Sequence, residues 1–310
     1  MAIKLFTEPE LHNPVMLCGW SGIGNIGITA IDTIRRFLEA RELGQIEPFD
    51  FFYPSKVVIQ KGLLVDLRFP ANKFYFQDIR DHDVIFFICE EQPRERSTPY
   101  AEGRKGYEMA ELVLDVAAKF GCQRIYTSGA AVTQIHHSAI PQVWAVPNNP
   151  ALIEEIRTYR NTVLMSDIEG SGGQGFISGL NGLMLGVAKE RDIDGVCLMG
   201  EIPYYLQGTG WPYPKASMSV IEVFAEVFKI KIEMKHLEQL AKKIEKQIED
   251  FLQTLYEAEG VPPELKKHIE SLRHTRQAKL GPITEEEQKK IVEHIDELFR
   301  GEEESGKRHV

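Results

Sequence analysis

The 310-residue chain carries 46 acidic against 36 basic side chains, a formal net charge of −10, with 43% hydrophobic and 26% charged residues. That balance is globular, not disordered, and without a Lys/Arg stripe it excludes a nucleic-acid partner, which needs clustered cations. The opening Met1 to Glu10 lacks the basic start and apolar run of a secretory leader, and no later run reaches bilayer-spanning length, so the expectation is a cytoplasmic protein with no membrane partner.

Val15 to Gly19 is a short apolar run, followed by a glycine loop through Gly22, Gly24 and Gly27 and a helical pattern at Ile28, Ile31, Ile34 and Leu38. This reads as strand, loop, helix. Phe49 to Tyr53 reads as a second strand, and Lys61 to Phe76, alternating at Leu63, Val65 and Leu67, as a hairpin or meander. Asp83 to Cys89 is nearly all apolar, the pattern of a strand covered on both faces.

A helix from about Ala101 to Phe120 follows, then a strand at Arg124 to Ser128 running into a Gly-Ala-Ala loop. Val143 to Val146 and Thr162 to Met165 read as short strands, Ala151 to Tyr159 as a helix, and Gly195 to Met199 as a strand. Between them, Ile168 to Gly186 is a glycine-rich loop feeding a helix with Ile177, Leu180, Leu183, Met184 and Val187 at helical spacing. Gly179, Gly182 and Gly186 each cost that helix roughly 1 kcal/mol relative to Ala, which is tolerable where another backbone approaches closely or a ligand binds. Strand and helix alternate throughout, so the predicted fold is a three-layer α/β/α sandwich with a largely parallel or mixed sheet, of phosphorylase or hydrolase type.

After Lys231 the strand signal stops, and a helical C-terminal extension (231–310) follows the α/β/α core (1–230). Leu237, Leu240, Ile244, Ile248, Phe251 and Leu255 form one apolar seam of a long helix. Val261-Pro262-Pro263 breaks it and starts another, and Gly281-Pro282 breaks the chain again. Thr284 with Glu287 then forms a capping box for a last helix carrying Ile291, Ile295 and Leu298.

Gly22, Gly24 and Gly27 match the dinucleotide pattern Gly-x-Gly-x-x-Gly at a strand-to-helix turn. The acid expected at the end of the second strand is missing, since Asp50 lies near its beginning and Tyr53-Pro54 ends it. Backbone N–H groups at a helix start still make the loop, with Asn25, a competent anion or carboxylate site. Glu90, Glu91, Gln92, His136, His137, Asn181 and Glu201 follow strands or lie in the glycine helix, where an open α/β sheet gathers side chains at one crevice. No zinc-protease, nucleophile-elbow or P-loop motif and no spaced acid set for Mg²⁺ occurs, and Cys18, Cys89, Cys122 and Cys197 lack metal or paired spacing.

Three segments carry a resemblance. Gly19-Trp20-Ser21-Gly22-Ile23-Gly24-Asn25-Ile26-Gly27, Ile177-Ser178-Gly179-Leu180-Asn181-Gly182-Leu183 and Leu198-Met199-Gly200-Glu201-Ile202-Pro203-Tyr204, in that order, are similar to the signatures of the proteasome assembly chaperone family. The resemblance covers about residues 1 to 230. It implies a nucleoside-phosphorylase-like fold, a homo-oligomer with a trimer favoured, a protein partner, and no cofactor, metal or catalytic residue. Proteasome-docking members end in a hydrophobic residue, a Tyr and any residue, whereas Arg308-His309-Val310 stands here. The reading is a non-enzymatic protein-binding or assembly-chaperone-like protein, with Gly22, Gly24, Asn25, Gly27, Asn181 and Glu201 as ligand- or partner-binding candidates. The alternative is a phosphate- or nucleotide-dependent enzyme, or a nucleotide binder, using the Gly22 to Gly27 loop.

Overall fold

Runs of Val, Ile, Leu and Phe build strands buried on both faces, and these strands set the architecture. The structure is a computed structural model and describes residues 2–79, 82–93, 103–167, 175–258 and 263–273. The first half of the chain forms strand β1 (Ile3–Leu5), β2 (Val15–Trp20), helix α1 (Ile26–Phe37), β3 (Arg41–Ile46), β4 (Lys56–Gln60), β5 (Leu63–Arg68), β6 (Asn72–Ile79), β7 (His82–Cys89) and α2 (Gly103–Lys119). The second half forms β8 (Arg124–Thr133), β9 (Val143–Pro147), α3 (Ile153–Ile156), β10 (Thr162–Leu164), α4 (Gly179–Glu190), β11 (Asp194–Pro203), α5 (Pro214–Val227), α6 (Lys235–Glu257) and α7 (Pro263–Leu272).

Nine strands make one mixed sheet in the order β1-β3-β6-β7-β2-β8-β11-β9-β10, and β4-β5 form a separate ribbon. At its centre β7, β2, β8 and β11 run parallel. On one side β6 and β3 are antiparallel to their neighbours, and on the other β9 is antiparallel to β11. Helices α1 and α5 cover one face, contributing Ile26, Ile31, Ile34, Val220 and Phe224 to a core that also includes Leu17, Phe86 and Leu198. Helices α2 and α4 cover the other, where Met109, Val113, Leu180 and Met184 meet Met16, Phe74 and Phe87. The protein is therefore a three-layer α/β/α sandwich.

Several boundaries differ from the sequence reading. The expected strand at Phe49 to Tyr53 is a short 3-10 turn at Pro48–Asp50 and a bend, because Pro48 at its first position presets a helical φ. The strand that follows α1 is instead β3, a polar segment entered through Glu39 at φ 53°. The expected hairpin is β4 with β5, turned at Lys61-Gly62, while β6 belongs to the main sheet. The Gly-Ala-Ala segment after Ser128 is no loop: β8 runs on to Thr133, and β11 likewise continues past Met199 to Pro203, ten residues in register against it. The helix expected at Ala151 to Tyr159 is a 3-10 turn leading into the single turn of α3.

Helix α6 lays Leu237, Ile244, Ile248 and Leu252 into the same core as α1 and α5, and α7 adds Ile269 and Leu272. From the expected seam, Leu240, Phe251 and Leu255 pack half-buried beside it, with Phe251 edge-on to Trp211 at 5.2 Å. Burial of the four buried α6 side chains contributes roughly 6–12 kcal/mol gross, an upper figure because unfolded chains bury some apolar surface already. The Gly281-Pro282 break, the Thr284–Glu287 capping box, the last helix and the chain end at Val310 lie outside the described residues.

Candidate functional site

The glycine junctions sit where two central strands part. Strand β2 pairs with β8 only from Val15 to Cys18, whereas β8 continues past Thr127 against β11 alone. The chain after Trp20 fills the opening. Gly24, at φ 61°, takes a backbone shape that side chains rarely adopt, and a Cβ there would lie 2.9 Å from Ile202 Cδ1 and 3.1 Å from Tyr213 Cβ. Its carbonyl accepts a hydrogen bond from Tyr213 N at 2.8 Å. Asn25 is left-handed at φ 49° and makes no side-chain cap, while its N–H donates to Gly22 O at 2.9 Å. Gly27 is pressed onto β8, where a Cβ would fall 2.0 Å from Ser128 O.

Helix α4 begins on the opposite face of the same strand. Gly129 of β8 has no room for a side chain because the Asn181 amide occupies its place, 2.3 Å from the position of a Cβ. Among the described residues Asn181 Oδ1 is buried without a hydrogen-bond partner. Gly182 lets the chain fold back under its own helix, a Cβ there meeting Ile177 O at 2.0 Å. The expected loop ahead of this helix lies partly outside the described residues, at 168–174.

Gln92, just past β7, joins the two junctions. Its Nε2 donates to Ser21 O at 2.8 Å and its Oε1 accepts from Leu180 N at 3.1 Å, so one buried amide ties the glycine loop to the first turn of the glycine helix. It also satisfies one of the N–H groups that a helix start leaves open. Of the neighbouring candidates, Glu90 accepts from Ala71 N at 2.9 Å and the Glu91 carbonyl accepts from Cys89 Sγ at 2.6 Å.

Glu201 is buried and committed elsewhere. Its Oε2 accepts from Gln142 N at 2.8 Å and its Oε1 from Trp144 Nε1 at 3.0 Å, which holds the entry to β9 on β11. Alternation along β11 places Gly200 and Ile202 toward α1 and α5, and Glu201 toward the other face. The sequence candidates thus divide across the sheet. Gly22, Gly24, Asn25 and Gly27 lie at the α1 end, with Asn181 and Glu201 on the α4 side.

A second polar cluster sits past the end of β8. His136 and His137 stack with ring centres 4.0 Å apart, both 1% exposed. Burial, reinforced by Arg273 and Lys215, holds His136 below the usual imidazole range. Burial together with His136 brings His137 down to about 3. The Tyr205 hydroxyl accepts from His137 N at 2.8 Å and meets His137 Nδ1 at 2.9 Å. Lys215 Nζ donates to His137 O at 2.9 Å and reaches Glu245 at 3.0 Å. A cleft of about 420 Å³ opens beside His137 between α6 and α7, lined among others by Tyr256, Lys266 and Arg273. Nothing in the local sequence marked Tyr205 and Lys215 as partners of the histidines, since 68 and 78 residues separate the pairs.

The four cysteines are buried free thiols, and burial pushes Cys122 and Cys197 up to about 12. Among the described residues no group of three or more His, Cys, Asp or Glu side chains is placed to hold a metal ion. Among the same residues no helix is long and apolar enough to cross a membrane.

Comparison with known proteins places this geometry. The family model described as the PAC2 family matches residues 16–252, from β2 through most of α6. The chain belongs to the PAC2 family. It is 26% identical over 261 residues to an uncharacterised protein of Methanocaldococcus jannaschii, covering 83% of this chain and 91% of the relative. Its fold is similar to that of PbaB from Pyrococcus furiosus, an archaeal proteasome activator, with a TM-score of 0.66 and 24% identity over 80% of this chain and 97% of the other. It is also similar to Pyrococcus furiosus PbaA, an archaeal homologue of proteasome-assembly chaperone, with a TM-score of 0.60 and 18% identity over 88% of this chain and 99% of the other. The proteasome-assembly chaperone homologue Rv2125 of Mycobacterium tuberculosis gives a TM-score of 0.60 and 16% identity over 82% of this chain and 99% of the other.

Proposed function

We propose that this PAC2 protein is a non-enzymatic, chaperone-like protein-binding factor that works as a homo-oligomer, with a trimer the number the family resemblance favours. The observation that carries the reading is the filling of the glycine loop. Ile202 and Tyr213 occupy the space beside Gly24, the Ser128 backbone abuts Gly27, and Gln92 spans Ser21 and Leu180. A dinucleotide or phosphate loop keeps its glycines so that a ligand can approach the backbone, and here the protein's own atoms make that approach.

On the same logic Gly22, Gly24, Asn25, Gly27, Asn181 and Glu201 shape the surface at the strand ends, several of them from beneath it, and a protein is the ligand that surface meets. The solved relatives described as a proteasome activator and as proteasome-assembly chaperone homologues support a protein partner. Four free buried thiols fit a reducing compartment, so the proposed location is the cytoplasm.

The test is a pair of measurements on the full chain. Sedimentation velocity is expected to show an oligomer, and thermal melting is expected to be unmoved by phosphate, nucleosides, ATP or NAD. A ligand at 100 times its Kd adds about 2.7 kcal/mol, so a clear rise with any of these would favour the nucleotide-binding alternative and overturn the reading.

A further inference from the structure

The two stacked imidazoles past the end of β8 each hold their proton on Nε2. Ser138 N donates to His136 Nδ1 at 3.2 Å, so that nitrogen is the acceptor and the ring's proton lies on the other. The Tyr205 hydroxyl accepts from His137 N, and its own proton has His137 Nδ1, 2.9 Å away, as acceptor, which assigns the His137 proton to Nε2 as well. Both Nε2 atoms are buried, and among the described residues neither has a hydrogen-bond partner. Burial keeps the second proton off both rings, so each Nε2–H is an uncharged donor without an acceptor, a state buried polar groups rarely keep.

His137 lines the cleft of about 420 Å³ between α6 and α7, and other groups facing that space share the trait. Tyr256 lines it with its hydroxyl buried and, among the described residues, unpartnered. Arg273 has five N–H donors but meets one acid, Glu270, through Nε at 3.5 Å, longer than a charge-assisted hydrogen bond. Its terminal nitrogens have no acceptor among the described residues. Lys266 Nζ lies 5.0 Å from the centre of the Tyr256 ring. Three acids line the same space: Glu270 beside Arg273, Glu257, which accepts from Gln253 Nε2 at 3.1 Å, and exposed Glu249.

We propose that the cleft between α6 and α7 binds one carboxylate group, which accepts from His137 Nε2 and the Tyr256 hydroxyl and pairs with the Arg273 fork. A guanidinium presents parallel N–H groups at carboxylate spacing, while imidazole and phenol donate without adding charge. Charge sets the class of guest. Three acids against two cations repel a multiply charged anion such as phosphate, whereas Arg273 and Lys266 can match a single negative charge. The carboxylate can belong to a free small acid or to the C-terminus of a protein. This site stands whether or not the chain is an oligomer.

Nitrogen NMR of the full chain labelled at its histidines tests it, with three probes: acetate, an N-acetylated tripeptide with a free C-terminal carboxylate, and the same tripeptide as its C-terminal amide. A carboxylate probe is expected to shift the His137 Nε2 resonance saturably, and the amide to bind at least about tenfold more weakly. Arg273→Gln, on a side chain 44% exposed, should weaken carboxylate binding by at least about tenfold with unchanged circular dichroism. Acetate binding as tightly as the tripeptide identifies a free small acid as the guest, and binding of the tripeptide alone identifies a protein terminus. No saturable shift with either carboxylate, equal binding of the amide, or full binding by Arg273→Gln overturns the site. An equal shift with inorganic phosphate overturns the single-charge assignment.

Discussion

The Gln92 side chain donates to Ser21 O at 2.8 Å and accepts from Leu180 N at 3.1 Å, so a residue just past β7 locks together two junctions 159 residues apart in sequence. Gln92→Leu keeps the bulk and removes both bonds, leaving the buried Leu180 N–H without its acceptor. An unmet buried group costs about 1–3 kcal/mol. Urea unfolding should show a loss in that range with an unchanged m-value, and a near-neutral variant would mean that the bridge contributes nothing.

Glycines pressed on backbone and glycines facing space separate cleanly. Gly27→Ala would place Cβ 2.0 Å from Ser128 O and 2.6 Å from Ser128 C, atoms that cannot move aside without shifting β8. Overpacking of this kind costs typically 1–3 kcal/mol or more. Gly186, grouped by sequence with Gly179 and Gly182 in the glycine helix, meets nothing within 4 Å, so Gly186→Ala should stabilise by up to about 1 kcal/mol through helix propensity. Paired thermal melts decide it; equal effects of the two substitutions would refute close approach as the reason for Gly27.

The stacked histidines give the fold an acid sensitivity of known sign. Burial lowers both imidazoles below the ordinary value of 6.5, His137 to about 3, so the unfolded chain binds more protons throughout that window. The His137 contribution is full above pH 6.5 and is lost as pH drops toward 3, by about 1.4 kcal/mol per pH unit, and His136 adds to the decline in the same direction. Arg273 and Lys215 repel the incoming proton, while Glu270 and Glu245 partly offset them. His137→Asn should flatten the decline in stability between pH 6.5 and 4.5, measured by urea unfolding across that range. An unchanged slope would show that His137 does not govern it.

The helices beyond Lys231 are expected to complete the core. Ile248 is 1% exposed among Val220, Phe224 and their neighbours, and Ile248→Ala should cost about 2–5 kcal/mol. Truncation after Lys229 should give a molten or insoluble protein, read by lost near-ultraviolet dichroism. A truncated chain that stays folded and loses only assembly would instead establish residues 231–310 as a separable appendage.

What the sequence determined alone was local. Strand, glycine loop and helix at Val15 to Phe37, the apolar β7, helices α2 and α4 and the α6 seam all follow from side-chain periodicity within one element, which needs no distant partner to be read. The strand-end polar residues were visible too, because chemistry-bearing types after strand signals stand out in composition. Tertiary structure decided where glycine means approach and where it means turn. Gly129 and Gly200 punctuate β8 and β11 without ending them, since Asn181 and the Ala216 backbone of packed helices fill the space a side chain would take. It also decided that Arg41 to Ile46 is a strand, supported by ladder bonds to β1 and β6 that its own polar sequence does not announce. And it divided the candidates, Gly24 to one face and Glu201 to the other, because Ile202 and Glu201, adjacent in sequence, point to opposite sides of a pleated sheet.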